Sequence, residues 1–209
     1  QVDAETREDL NVMKQNTERL LNLTNQLLDF RKTESQGFRL NFAKCNITEV
    51  LKETHVRFTS LAKQKGLDFT LQVPEKDFYA HVNQEAFTKI ISNLLNNGMK
   101  YAESYVHVML EAPQRDDNNL FRIRTVNDGV IIPDAMKEEI FKPFVRFNEQ
   151  EDGKVTTGTG IGLALSRSLA EFHLGTLVME AGEESNIFCL TLPVVQDTTI
   201  TLTPEAEVE

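Results

Sequence analysis

The chain has 209 residues, enough for one well-packed domain and an appendage. Apolar residues make up 40% and charged residues 26%, an ordinary globular balance, and no run of about 18 apolar residues exists to span a bilayer. A formal net charge of -10 argues against a nucleic-acid surface, and Cys45 and Cys189, without C-x-x-C or metal-ligand spacing, read as buried thiols of a reducing compartment.

From the N-terminus, Leu10, Met13, Thr17, Leu20, Thr24 and Leu27 recur at spacings of three and four, a heptad seam on one helix. Leu21, Leu23 and Leu28 widen its apolar face, which suits a helical bundle. After Gly37, the alternation of Phe38, Leu40 and Phe42 with polar residues predicts a strand and a boundary near residue 36. Asn46 caps the next helix, with Glu49 as the reciprocal member of a capping box, and Gly66 stops it. A strand over 67–73 follows, and Asn83 then opens a long amphipathic helix through about Met99. Val106, Val108 and Leu110 alternate as a strand, 116–119 reads as a hairpin turn, and Phe121, Ile123 and Thr125 continue the sheet. Later strands fit 176–180 and 187–192. Helices and strands mix without strict alternation, which predicts an α+β fold, a two-layer sandwich whose mixed sheet is covered by helices on one face, preceded by the long N-terminal helix. The expected division is a helical segment over 1–36, a domain over 37–195, and a Thr- and Glu-rich linker or tail over 196–209.

Four pieces of this chain carry chemistry. In the first, 93–101, Asn93, Asn97 and Lys100 share one helix face while Phe87, Ile91, Leu94 and Leu95 take the core side. An Asn amide oxygen is a hard ligand suited to Mg²⁺ and a Lys ammonium suits phosphate oxygens, so the stripe points to a metal nucleotide; a merely solvated face has the same spacing. The second, 126–133, runs from a strand into a tight turn, Asn127-Asp128-Gly129, where a side chain can reach a bound ring. The third, 140–147, places Phe141 and Phe144 at the base of a polar stretch, 148–157, expected to be a mobile loop. The fourth, Gly158-Thr159-Gly160-Ile161-Gly162-Leu163, opens a helix, where glycines admit phosphate close to helix-terminal N–H groups. No strand precedes it at short range and no Gly-Lys-Ser/Thr follows, which excludes a Rossmann fingerprint and a P-loop.

In this order and spacing the four pieces resemble the N, G1, F and G2 boxes of the GHKL ATPase superfamily, over residues 38–193, which implies the Bergerat sandwich. Gyrase-type, Hsp90-type and MutL-type members carry a Glu four residues before the metal-binding Asn, as base for water attack. Here Asn93 stands in that position, and an amide cannot deprotonate water, so the resemblance is to the histidine-kinase branch, which transfers the ATP γ-phosphoryl to a protein histidine. Residues 19–32 look like the second dimerisation helix of large hybrid sensor kinases.

Carried over residue by residue, the resemblance implies that Asn97 coordinates Mg²⁺, Asn93 and Lys100 support the ATP phosphates, and Tyr101 lies along the nucleotide. Asn127 would face the adenine amino group, beside Gly129. Gly158, Gly160 and Gly162 would let a lid close, with Phe141 and Phe144 seating its base and Thr159, Ile161 and Leu163 lining it. Three positions depart from the family pattern: Asn127 replaces an Asp, its carbonyl still able to accept from adenine; Ile131 replaces a glycine close to where the ring lies, to pack on it or crowd it; and Gly98 replaces an alanine. None of His55, His81, His107 and His173 sits in the family's phosphoacceptor motif, and His107 and His173 read as structural. The chain is therefore expected to be a fragment that cannot autophosphorylate without a further dimerisation (DHp) helix from the same or a partner subunit. The resemblance also implies a homodimeric parent, a response-regulator receiver domain as partner, no nucleic acid, and a place on the cytoplasmic side of an inner-membrane sensor. The rival readings are a nucleotide-blind pseudokinase acting as an interaction module and a GHKL clamp ATPase.

Overall fold

A computed structural model describes residues 4–34, 40–113, 119–147, 159–180, 182 and 184–196. Helix α1 (Ala4–Glu34) leads, with Leu10, Met13, Leu20, Leu21 and Leu28 of its apolar face exposed. Its last turns meet the rest of the chain, where Phe30 packs against the core and Thr33 is buried. The strand predicted from Phe38 to Phe42 begins instead at Ala43, with 38 and 39 outside the described residues. The alternation at 40–42 has another cause: Leu40 packs on the core, Phe42 meets the His173 ring edge-on, and the Asn41 carbonyl accepts from the Asn83 side chain rather than from a strand.

Strand β1 (Ala43–Asn46) pairs antiparallel with β3 (Tyr79–Val82), a two-stranded sheet whose second member the sequence pattern did not indicate. Between them lie α2 (Ile47–Lys65) and β2 (Asp68–Gln72). Asn46 caps α2 by accepting from the Glu49 N–H at 3.2 Å, while its own amide donates to Asp77; Gly66 closes the helix in the left-handed conformation.

The main sheet orders β2, β4 (Tyr105–Glu111), β5 (Leu120–Asn127), β7 (Asn186–Pro193) and β6 (Thr176–Glu180). Only the β2–β4 pair is parallel. The period-two patterns set the inner face: Val108 lies opposite Thr125, Leu110 opposite Ile123, and Ile123 opposite Leu190. On the open face Arg124 bridges Glu111 and Glu180. The helices α2, α3 (Gln84–Tyr101) and α4 (Gly162–Phe172) cover the inner face, giving the two-layer α/β sandwich.

Helix α3 organises that layer. Phe87, Ile90, Ile91, Leu94, Leu95 and Met99 are each no more than 1% exposed. Burial of such side chains stabilises by about 2 kcal/mol each, which outweighs the ~1 kcal/mol that Gly98 costs as a helix residue. Gly98 also has a packing reason, because a Cβ there would stand 3.0 Å from Val106 Cγ1 on β4.

His173 ends α4 and is 0% exposed. Its Nδ1 donates to the Leu169 carbonyl at 2.6 Å, so Nε2 is the acceptor for the Asn83 N–H at 3.2 Å, which ties α4 to the start of α3. Burial pushes its pKa below the ordinary 6.5. Below that pH the unfolded chain binds a proton that the folded chain refuses, so this contribution to stability is complete above pH 6.5 and is lost as pH falls toward the folded pKa. Denaturant titrations between pH 6.5 and 5.5 should show stability falling by up to about 1.4 kcal/mol per pH unit, a slope that His173→Gln removes. Equal slopes in the two proteins would disprove the assignment.

Candidate functional site

A cleft of about 320 Å³ opens between the polar face of α3, the loop after β5 and the start of α4. That volume is at the lower end of small-molecule sites. From α3 it is lined by Asn93, Asn96, Asn97, Lys100 and Tyr101. They face the cleft because the opposite face of the helix is committed to the core. Asn93 donates to the Gly162 carbonyl at 3.3 Å and to Ser166 Oγ at 3.2 Å, stapling α3 to α4. Asn97 makes no hydrogen bond among the described residues, so its amide remains available. Lys100 Nζ donates to the Tyr101 hydroxyl at 2.6 Å and lies 4.3 Å from the centre of that ring.

The floor comes from the end of β5. Asn127, 3% exposed, lies opposite Asn186 in the β5–β7 register. Asn127 Oδ1 accepts from the Gly129 N–H at 3.2 Å and from Asn186 Nδ2 at 3.5 Å. Asn186 Oδ1 accepts from the Ile132 N–H at 3.0 Å, while its Nδ2 donates to the carbonyls of Gly129 at 3.2 Å and Val130 at 3.0 Å. One buried amide thus holds the whole turn. Next to it, Asp128 accepts from the Ser104 hydroxyl and from the N–H groups of Glu103, Ser104 and Tyr105. Partial burial disfavours the Asp128 carboxylate, but the Ser104 bonds and the Tyr105 and Glu103 N–H groups outweigh this and hold its pKa well below the usual carboxylate range.

The third wall is the start of α4, with Thr159, Gly160, Gly162 and Leu163 on the cleft. Gly160 has φ +70°, and a Cβ on it would stand 2.8 Å from the backbone of Phe144. Phe144, itself at φ 66°, donates its N–H to the Gly160 carbonyl at 2.9 Å, so the two ends of the segment 145–159 are held together. Thr159 Oγ1 donates to Gln26 Oε1 of α1 at 2.7 Å, and Asp29 of α1 pairs with Lys89 of α3 at 2.9 Å. Behind this wall Phe141 is buried against Phe188, with the Arg167 guanidinium 3.7 Å over its ring and paired to Glu138.

Nine of the residues singled out from sequence therefore meet at one cleft: Asn93, Asn97, Lys100, Tyr101, Asn127, Thr159, Gly160, Gly162 and Leu163. Others stand apart from it. Ile131 is 39% exposed and is not among the residues that line the cleft, whereas Val130 and Ile132 are. Gly129 lies behind the lining, against the Tyr101 carbonyl; Ile161 is buried at the helix start; and Phe144 is 65% exposed. Gly158 and the expected lid, 148–157, lie outside the described residues. Sequence reasoning did not single out Asn186, Asn96 or Gln26 as site residues, although Asn96 lies within the 93–101 piece and Gln26 within 19–32.

A two-layer sandwich with an Asn-rich helix face, a β5 turn and a glycine-bearing helix start around one cleft defines an ATPase domain of the GHKL architecture. Comparison with known proteins agrees: the profile of the histidine kinase-, DNA gyrase B- and HSP90-like ATPase family matches residues 82–206, and the chain belongs to that family. Its relatives include the sensor histidine kinase WalK of Bacillus subtilis, 26% identical over 189 residues, and hybrid signal transduction histidine kinase D of Dictyostelium discoideum, 31% identical over 184. These matches cover 90% and 85% of this chain but only 31% and 12% of the relatives, so the chain spans less than a third of their length. Among solved structures, full-length ShkA in complex with AMPPNP superposes with a TM-score of 0.79 at 21% identity, covering 92% of this chain and 40% of that one. The histidine kinase ThkA in complex with response regulator protein TrrA superposes with a TM-score of 0.70 at 22% identity, covering 92% and 52%.

Proposed function

We propose that this chain binds Mg²⁺–ATP and acts as the catalytic domain of a two-component sensor histidine kinase. The observation that carries this reading is the cleft itself, where an unengaged Asn97 and the Lys100 ammonium on α3 face the glycine-bearing start of α4. The residues fit the metal nucleotide. Among the described residues no group of three or more His, Cys, Asp or Glu could hold a metal alone, but Mg²⁺ in nucleotide sites needs only one or two protein oxygens besides phosphate and water. Asn97 would supply that oxygen. The ion would draw charge from the phosphate oxygens as the β–γ bond breaks. Lys100 would neutralise the phosphates, the α4 N-terminus would receive them, and the turn held by Asn186 would seat the base.

Transfer rather than hydrolysis follows from Asn93, whose amide cannot deprotonate water and is already engaged by Gly162 and Ser166. The γ-phosphoryl would pass to an imidazole nitrogen on a dimerisation helix outside these residues, leaving ADP. Helix α1 would be the neighbouring dimerisation helix of a homodimeric parent, placed against the nucleotide cleft through Gln26 and Asp29. A response-regulator receiver domain is the proposed acceptor downstream, on the cytoplasmic side of an inner-membrane sensor. Among the described residues no helix is long and apolar enough to cross a membrane.

Thermal unfolding with and without Mg²⁺ and ADP tests the site. At about 100 times Kd, ligand should stabilise by about 2.7 kcal/mol, a shift of several degrees that Asn97→Ala abolishes, without steady phosphate release from ATP. Absence of any shift would reject the reading, and steady hydrolysis would favour the clamp ATPase.

A further inference from the structure

The segment that follows β5 supplies much of the cleft wall yet belongs to no ladder. Ile140, Val145, Arg146 and Phe147 line the cleft, and the regular structure over 133–147 is two three-residue 3₁₀ turns, Asp134–Met136 and Glu139–Phe141. Backbone bonds hold it at two points: the Ile132 N–H donates to Asn186 Oδ1 at 3.0 Å, and the Phe144 N–H donates to the Gly160 carbonyl at 2.9 Å. Between those points its place depends on side chains, and the guanidinium of Arg167 on α4 makes three contacts there at once. Its Nε donates to the Leu177 carbonyl of β6 at 3.1 Å, its Nη1 donates to Glu138 Oε2 at 2.7 Å, and its carbon lies 3.7 Å from the centre of the Phe141 ring.

The ion pair alone would contribute little, because the Glu138 side chain is 73% exposed. The guanidinium, however, is already fixed by the Leu177 carbonyl, and the ring beneath it is buried, so the fork is pre-organised for both Glu138 and Phe141. Arg167 also stands one helical turn beyond Leu163, which lines the cleft, so the two share a face of α4. Resting on the nucleotide-binding reading above, we propose that Arg167 is a positioning residue for the nucleotide: it locks the wall bearing Ile140, Val145, Arg146 and Phe147 to the helix whose start receives the phosphates. Arg167 is not among the residues that line the cleft, so it acts through Glu138 and Phe141. Without it the wall keeps its two backbone anchors while its middle can shift from α4, and a misplacement of about 1 Å by a change remote from the reacting groups can cost an order of magnitude or more. Lysine is no substitute, because a single ammonium cannot hold the Leu177 carbonyl and Glu138 while lying flat on the ring.

Calorimetric titration of the full 209-residue chain with Mg²⁺ and ADP tests this, with the folding of each variant checked in urea. Arg167→Gln should bind ADP at least fivefold more weakly than the parent, and Arg167→Lys should not restore the parental affinity. Leu51→Ala, a core change on α2, serves as the control for a merely structural effect: it should lose stability and keep the parental affinity. A loss below fivefold in Arg167→Gln, full recovery in Arg167→Lys, or an equal loss in Leu51→Ala would each overturn the inference. Should Arg167→Gln not fold, Glu138→Arg decides, since that side chain is exposed and its reversed charge repels the guanidinium from the wall. Its affinity should fall at least threefold, and a smaller change would overturn the inference. No binding of ADP by the parent chain would instead reject the nucleotide-binding reading itself.

Discussion

Gly129→Ala should lose about 3 kcal/mol of stability in urea titrations and abolish the nucleotide-dependent rise in unfolding temperature. A Cβ at Gly129 would stand 2.0 Å from the Tyr101 carbonyl oxygen and 2.8 Å from its carbonyl carbon. A flexible side-chain tip could swing aside, but this oxygen belongs to the backbone at the end of α3. Retreat on the other side is blocked as well, since Asp128 is tied to Glu103, Ser104 and Tyr105, and the Gly129 backbone is tied to Asn127 and Asn186. Overpacking against groups that cannot move commonly costs 1–3 kcal/mol, and here relief requires breaking one of those clamps. Nucleotide binding is lost with it because Tyr101 and Val130 line the cleft on either side of the contact. A variant within 1 kcal/mol of the parent that still responds to Mg²⁺ and ADP would show that the turn yields more easily than its contacts imply.

The parts of this architecture legible in sequence were those carried by a period. The stripe Asn93, Asn97, Lys100 could be read because 3.6-residue periodicity separates it from Leu94 and Leu95 without knowledge of the fold. Likewise β4 and β5 alternate cleanly because one face packs on helices. Periodicity also misled: Leu40 and Phe42 alternate because each packs on the body in an extended lead-in, while the ladder begins only at Ala43. The short β3 was invisible because its four residues include Tyr79 and His81, and its partner β1 lies far away in sequence.

Direction within loops was harder still. Nothing in Gly129-Val130-Ile131-Ile132 tells which side chains turn inward, and the structure sends Val130 and Ile132 to the cleft and Ile131 outward. The resemblance placed Asn127 at the base, and its carbonyl looked as good an acceptor as a carboxylate. The β5–β7 register sets Asn186 opposite this residue, with Asn186 Nδ2 3.5 Å from Asn127 Oδ1, a neighbour that no local pattern showed. A side chain's identity is local, but its hydrogen-bonding role is set by strand register, a non-local property.

Asn186→Leu is therefore the second substitution with a large expected effect, about 3 kcal/mol or more. The replacement keeps the number and branching of side-chain heavy atoms at a site only 3% exposed and opens no cavity, so the loss reflects chiefly the polar groups. It leaves the Ile132 N–H without its acceptor and the Gly129 and Val130 carbonyls without their donor. Each buried group left unsatisfied costs about 1–3 kcal/mol, with the lower figure apt where water can enter from the cleft. The urea midpoint should fall at unchanged slope, which assigns the loss to the native state rather than to altered unfolding. A stability loss below 1 kcal/mol would mean that water satisfies the turn as well as Asn186 does, and that the register of β5 on β7 does not set the chemistry of the cleft floor.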